Sequence, residues 1–399
     1  MRKFLYWAII GMPMAIYAAS PVHNRVIDYV PAPGQFVNVF PEWEEDDDAA
    51  AMATKAYQYM VTDESLISLG AWGGYVTVGF EHTIVNVEGM RDFYIEGNAF
   101  QASASTSKGG SSEPGVVMVA YDINKNGVPD DDEWFEIAGS EYSNSVHNYE
   151  VVYTKPASDD DNIAWTDNQG NSGEVQRLTW HTQPYWPQWL TDKETLTFKG
   201  CRLPDNRTIE GADYYVLTRF DYGYADNYPN FSDNDNTVRN EGAMIDIDWA
   251  VDQNGNSVKM PGVDFVRIYT GVNQWNGMLG ENSTEVCRLI NMHTTKSGAE
   301  EVVDESVQMD EKVLSDFLAK YGGVESVEND NVRLYLSSDG RVSFTLMKEA
   351  VAQVFDIKGQ CLYNKIMPAG KGDISLEEYP SGIYLVSVFG KTLKVVKCK

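Results

Sequence analysis

The sequence predicts an all-β protein: a large antiparallel β-sandwich or jelly roll, a short acidic linker with one helix, and a small immunoglobulin-like β-sandwich at the C-terminus. Three observations predict it. From about Leu66 onward, short runs rich in β-branched and aromatic residues recur, among them 75–80, 83–87, 92–95, 116–121, 150–153, 196–198, 214–217 and 265–269. Gly, Asn and Asp break these runs and almost no long helical period separates them, a pattern that suits stacked antiparallel sheets. In residues 332–399 the alternation continues in five closely spaced runs joined by Gly-containing turns, the spacing of a small sandwich.

Taken in order, Arg2 and Lys3 precede an apolar run over 4–17, followed by Ala18, Ala19 and Ser20. That charged–apolar–small order predicts a secretory signal peptide over residues 1–20. No later stretch is apolar enough to span a bilayer as a helix. Residues 21–65 carry little pattern, and the like-charge block Glu44-Glu45-Asp46-Asp47-Asp48 reads as a solvated loop. Residues 66–295 hold the main sandwich. Within it, Gly89-x-x-Asp92-Phe93-x-Ile95 echoes Gly262-x-Asp264-Phe265-x-x-Ile268, too briefly to establish a repeat. Residues 296–331 form the acidic linker. There Val313, Leu314, Phe317, Leu318 and Tyr321 make a helical stripe that needs a core surface, and Gly322-Gly323 supplies its stop. Residues 332–399 form the C-terminal unit.

The charge narrows the partners. With 31 Lys+Arg against 59 Asp+Glu the formal net charge is −28, which opposes general nucleic-acid binding and docking on an anionic leaflet. It suits an extracellular setting and divalent cations. Four cysteines are present: Cys201, Cys287, Cys361 and Cys398. Pairing within domains would join Cys201 to Cys287 and Cys361 to Cys398, with unpaired buried thiols as the alternative. None shows the close CxxC spacing of a structural zinc site.

The strongest chemical signal is Asp122-Ile123-Asn124-Lys125-Asn126-Gly127-Val128-Pro129-Asp130-Asp131-Asp132-Glu133. It fits D-x-[DN]-x-[DN]-G-x5-E at every specified position. Calcium takes six to eight oxygens, so Asp122, Asn124 and Asn126 converge on one side and Gly127 makes the sharp turn. Val128 offers its carbonyl, Asp130 acts through water, and Glu133 closes the shell with two oxygens. The flanks read as strands rather than helices, so the expectation is an EF-hand-like loop joining two strands, with Asp131 or Asp132 as substitutes for Glu133. A second cluster, Asp233-Asn234-Asp235-Asn236, lacks the glycine and distal Glu and reads as a solvated loop. Asp246 and Asp248 alternate with Ile245, Ile247 and Trp249, as in a strand with one polar face.

Aromatic residues make up 12% of the chain and gather in two loop-like segments, 180–189 and 222–231. Loops at the end of a sandwich carry function more often than strands do. Rings beside amides suit a sugar or another flat polar ligand. The candidate ligand contacts are Tyr185, Trp186, Trp189, Tyr222, Tyr224 and Tyr228, joined by Trp165 and Asn168 of the amide-rich loop 165–171. Packing of these rings under the loops is the alternative. The sequence contains no HExxH pair, GxSxG elbow or P-loop. A hydrolase would have to use an Asp/Glu pair, and no spacing selects one.

Several blocks resemble a family of exported Bacteroidota cell-surface proteins: 71–86, 96–100, 112–119, the loop 122–133 with Trp134-Phe135-Glu136-Ile137-Ala138-Gly139-Ser140, 165–171 and 264–274. The similarity runs from about Leu66 to His293. It implies a surface-exposed binding component, in some cases beside an outer-membrane transporter for nutrients, corrinoids included. Residues 354–360, 376–386 and the basic ending 391–399 resemble a type IX secretion sorting domain, which implies passage across the outer membrane. Cys361 and Cys398 depart from that pattern. The expected function is non-catalytic capture of an extracellular ligand by a calcium-stabilised sandwich, with a glycan as first ligand and a corrinoid as second.

Overall fold

The computed structural model describes residues 19–101, 109–210, 214–232, 235–321, 327–329, 332–336, 341–376, 378–388 and 391–397. Most of the expected signal peptide, Asp233-Asn234, Gly322-Gly323 and Cys398 lie outside the described residues. The elements that position the sites are β1 (Arg25–Val30), α1 (Ala49–Tyr57), β2 (Tyr75–Val85), β3 (Gly115–Ala120), β4 (Trp134–Ile137), β5 (Val146–Thr154), β6 (Ile163–Asp167), β7 (Ser172–Val175), β8 (Thr195–Arg202), β9 (Ala250–Val251), β10 (Gly262–Thr270) and α2 (Glu311–Tyr321).

The fold is all-β, as the alternation predicts. Strands pair antiparallel in a central sheet of order β1-β2-β10-β3-β4-β9, with Tyr224–Ala225 added to β3. A four-stranded sheet of order β7-β6-β5-β8 covers one face. Strand side chains point alternately to opposite faces, and β3 shows what that does here. Val117 and Val119 enter one core, while Val116 and Met118 face the other. Toward the four-stranded sheet the filling is aromatic: Trp72, Tyr149, Tyr153, Phe198 and Tyr269. Toward the opposite face, Val76, Val78, Val266 and Ile268 pack with Met52 and Ala56 of α1 and with Phe317 of α2.

Residues 21–65 are part of this body. β1 forms an edge of the central sheet, and the side chain of Asp48 caps α1 by accepting from the Ala51 N–H at 2.9 Å. The acidic block is mostly exposed, as expected of a solvated loop, and Lys55 ties it down, its Nζ reaching Glu44 at 2.9 Å and Asp47 at 2.6 Å. The stripe on α2 finds its core surface. The ring of Phe317 lies 5.9 Å from that of Tyr121 and 5.7 Å from that of Phe135, and burying it contributes roughly 1.5–3 kcal/mol. Asp246 and Asp248 sit at a short 3-10 turn (Ile247–Trp249) rather than along a strand, because the Asp246 carboxylate caps the Asp248 N–H and pairs with Arg91 at 2.8 Å.

Cys201 and Cys287 are both buried free thiols, which rules out the first within-domain disulfide; Cys361 is exposed and free. Cys201 belongs to the aromatic core, and the Cys287 thiol points at the Met60 carbonyl. The C-terminal unit packs two four-stranded antiparallel sheets around Phe344, Val354, Ile374, Val386 and Val395.

Candidate functional site

The loop 122–133 closes a β-hairpin, for β3 and β4 pair directly and Ala120 lies opposite Trp134. Its turn is built by side chains. The Asp122 carboxylate accepts from the N–H of Asn126 at 3.0 Å and of Gly127 at 2.8 Å. Glu133 is buried and accepts from Ile123 and Asp130 at 2.8 and 3.0 Å. Gly127 adopts φ +82°, and nothing stands within 4 Å of where a Cβ would lie. Its requirement is therefore conformational, the left-handed turn that glycine adopts freely.

Three side chains meet inside this turn. The amide nitrogens of Asn124 and Asn126 both donate to Oδ2 of Asp130. Rotating either amide by half a turn puts an oxygen where the N–H now stands. With Asp122, Glu133 and the Val128 carbonyl, the donors are all oxygen, the ligand class that hard divalent cations take. Asp131 and Asp132 are exposed. Outside the turn, Asp264 braces it, accepting from the Asp122 N–H at 2.8 Å and pairing with Lys125 at 3.2 Å.

Beside this hairpin the two sheets diverge around a groove of about 830 Å³. Tyr75, Trp134, Tyr142 and Tyr269 supply its aromatic wall, and Glu136, Glu150, Lys199 and Arg267 its charges. Alternation on β4 explains the mixture: Trp134 and Glu136 face the groove while Phe135 and Ile137 enter the core. The Arg267 guanidinium stacks 4.6 Å from both the Tyr75 and Trp134 rings. Burial pushes the Glu136 carboxyl up to about 7.

The eight candidate ligand residues do not gather in this groove. Tyr185, Trp186 and Tyr224 are packed into the aromatic core at 2% exposure or less, which removes them from any ligand surface. The Trp186 indole donates to the Leu190 carbonyl, and the Tyr224 hydroxyl accepts from the Glu141 N–H. Trp189 stacks on Tyr29. Tyr228 is half-buried, its hydroxyl donating to the Asp221 carbonyl. Tyr222 is exposed and lies against Trp249. Trp165 lines a separate cavity of about 240 Å³ with Asn273 and Glu281. Asn168 alone touches the groove's lip, donating to the Asn148 carbonyl at 2.8 Å and accepting from the Glu150 N–H at 3.2 Å. Trp134 and Glu136 gave no signal of this groove in the sequence, since a charged residue alternating with core residues on a short strand reads as an ordinary solvent face.

A third cluster is largely buried, with Asp226 and Glu285 in the interior and Glu113 half-buried beside them. Carboxylate oxygens of Glu113, Asp226 and Glu285 lie within 4.8 Å of one another. Asp226 accepts from the N–H groups of Asn98, Ala99 and Glu285 at 2.8–3.0 Å. Burial, with Asp226 close by, pushes Glu285 up to about 8, and burial pushes Asp226 up to about 7. Comparison with known proteins adds no name: no protein-family model matches the chain, and a search of curated proteins returns no match.

Proposed function

We propose that the chain is an exported, non-catalytic ligand-binding protein of the cell surface, with calcium filling the hairpin loop 122–133 and an extracellular glycan filling the adjacent groove. The observation that carries this reading is the loop itself. Asp122 holds the turn by two backbone N–H bonds, and Asn124, Asn126 and Asp130 converge on one point inside it. Once its amides turn, the folded loop offers an oxygen cradle that the unfolded chain lacks, so calcium binding would add to folding stability. The groove supports the second half of the reading. Its volume lies in the range of small-ligand sites, and aromatic faces beside carboxylates and amides suit a sugar ring. Export is supported by the order of residues 1–20, and surface display by the resemblances at 66–293 and in the tail. An outer-membrane transporter is the partner those resemblances imply.

Thermal unfolding of the full chain tests both halves. Metal-stripped protein is melted with calcium and with a chelator; an unchanged midpoint sinks the calcium reading. In calcium, soluble glycans and cobalamin are then added. A ligand at a hundredfold excess over its dissociation constant adds about 2.7 kcal/mol of apparent stability. A glycan shift that disappears in Trp134→Ala supports the groove. A shift with cobalamin alone replaces the glycan by a corrinoid, and no shift with either leaves a structural or protein-partner role.

A further inference from the structure

A second metal-ligating cluster stands apart from the hairpin loop. Glu136 on β4, His147 on β5 and Cys201 on β8 each bring one ligand atom to within 4.8 Å of the other two. All three line the groove. They come from both sheets and from sequence positions too far apart to form any local motif.

The backbone is shaped to bring them together. Between the pairs Gly200↔Tyr149 and Arg202↔Val146, the single residue Cys201 faces two residues, His147 and Asn148. Asn148 takes φ +55°, a left-handed conformation that costs a non-glycine residue energy. A bulge of this kind re-aims a side chain, and such bulges concentrate beside functional sites. The His147 Nε2–H bonds the Tyr142 carbonyl at 3.0 Å, which leaves Nδ1 with the free lone pair. A backbone carbonyl on the far nitrogen is the usual way a metal-ligating histidine is held. The Cys201 N–H donates to the Tyr269 hydroxyl at 2.8 Å, fixing the backbone that carries the thiol. Among the described residues no Lys or Arg pairs with Glu136, for Arg267 is committed to Thr77, Asp28 and two rings.

We propose that Glu136, His147 and Cys201 bind one divalent transition-metal ion of the zinc class at the groove, with a fourth coordination position left for a water or a ligand group. Thiolate and imidazole select such an ion over calcium, and three protein ligands leave an open position that a closed four-ligand structural zinc site lacks. Binding removes the proton from the Cys201 thiol and releases it to solvent. Glu136 and the thiolate then supply two negative charges to a divalent ion, which leaves the partly buried site neutral. The site stands whatever occupies the groove.

The test uses the full chain, reduced, with calcium in excess so that the hairpin loop does not compete. Cobalt(II) is titrated as a spectroscopic probe and displaced by zinc. One equivalent should bind with thiolate-to-cobalt charge-transfer absorption, and zinc should abolish that absorption. Cys201→Ser should remove the band, and His147→Ala, at an exposed position, should weaken cobalt binding at least about tenfold. Absence of the band in the parent protein overturns the proposal. So does a band that survives Cys201→Ser, which would assign the ion to another thiol. If Cys201→Ser fails to fold, His147→Ala decides alone: unchanged affinity overturns the site.

Discussion

In the hairpin loop, Asp122 and Glu133 spread their carboxylate oxygens over four backbone N–H groups, whereas Glu113, Asp226 and Glu285 crowd together with no Lys or Arg paired to them among the described residues. Asp122 and Glu133 are themselves buried, and burial pushes the Glu133 carboxyl up while the Asp130 and Ile123 N–H groups pull it back down. In the crowded cluster, desolvation disfavours the charged form and each acid tends to keep its proton. On the proposed reading the same residue type serves two counter-ions, a metal in the loop and a proton in the buried cluster.

The sharpest break of this comparison is Asp226→Ala. It orphans three backbone donors around a buried acid, and chemical denaturation should show a loss of about 3 kcal/mol or more. A loss below about 0.5 kcal/mol, the size of an ordinary surface substitution, would mean the buried group is not structural. Next in size is the effect of pH. Asp226 and Glu285 titrate near 7 and 8 in the folded chain, above their ordinary values, so the folded state binds more protons than the unfolded one. Their contribution is fully present below the ordinary carboxylate range and is lost as pH rises through about 7 to 8. Stability should therefore rise on acidification from pH 8.5 to 6, by on the order of 2 kcal/mol, measured in calcium. Glu285→Gln should make that slope shallower, leaving the part due to Asp226, and leave the calcium response untouched. The smallest effect is Asp122→Ala. Measured in chelator it should cost roughly 1 kcal/mol, and it should abolish the calcium response while the pH slope survives. A variant that altered both responses together would show that the two regions are one network.

Much of the fold was legible because strands encode their faces locally. The continuous run at 116–121, rich in β-branched residues, is enough to anticipate a strand, and it is the strand-like flanks 116–121 and 134–137, not the spacing from Asp122 to Glu133, that anticipate a hairpin turn rather than a helix pair. α1 escaped notice because its run of alanines carries no stripe. The aromatic loops misled for a related reason. Prolines at 184 and 187 mark irregular backbone, and irregular backbone usually lies on the surface. Here the backbone dips, and Asn38 ties it down by donating to the carbonyls of Pro184 and Trp186 at 2.8 and 2.9 Å. Glu136, His147 and Cys201 could not be read from spacing at all, since only the pairing of β5 with β8 and the closure of the two sheets bring them together.

The seat of α2 has a mechanical meaning. Tyr121 and Phe135 are the rings on which Phe317 rests, and they bracket the loop 122–133 at its base; Tyr321 adds a ring contact of 4.9 Å to Phe135. Tension applied to the chain beyond α2 meets this aromatic clasp before it reaches the central sheet. The clasp and the loop share one footing, so the calcium proposed for the loop would also strengthen the point where the chain beyond α2 is held to the body.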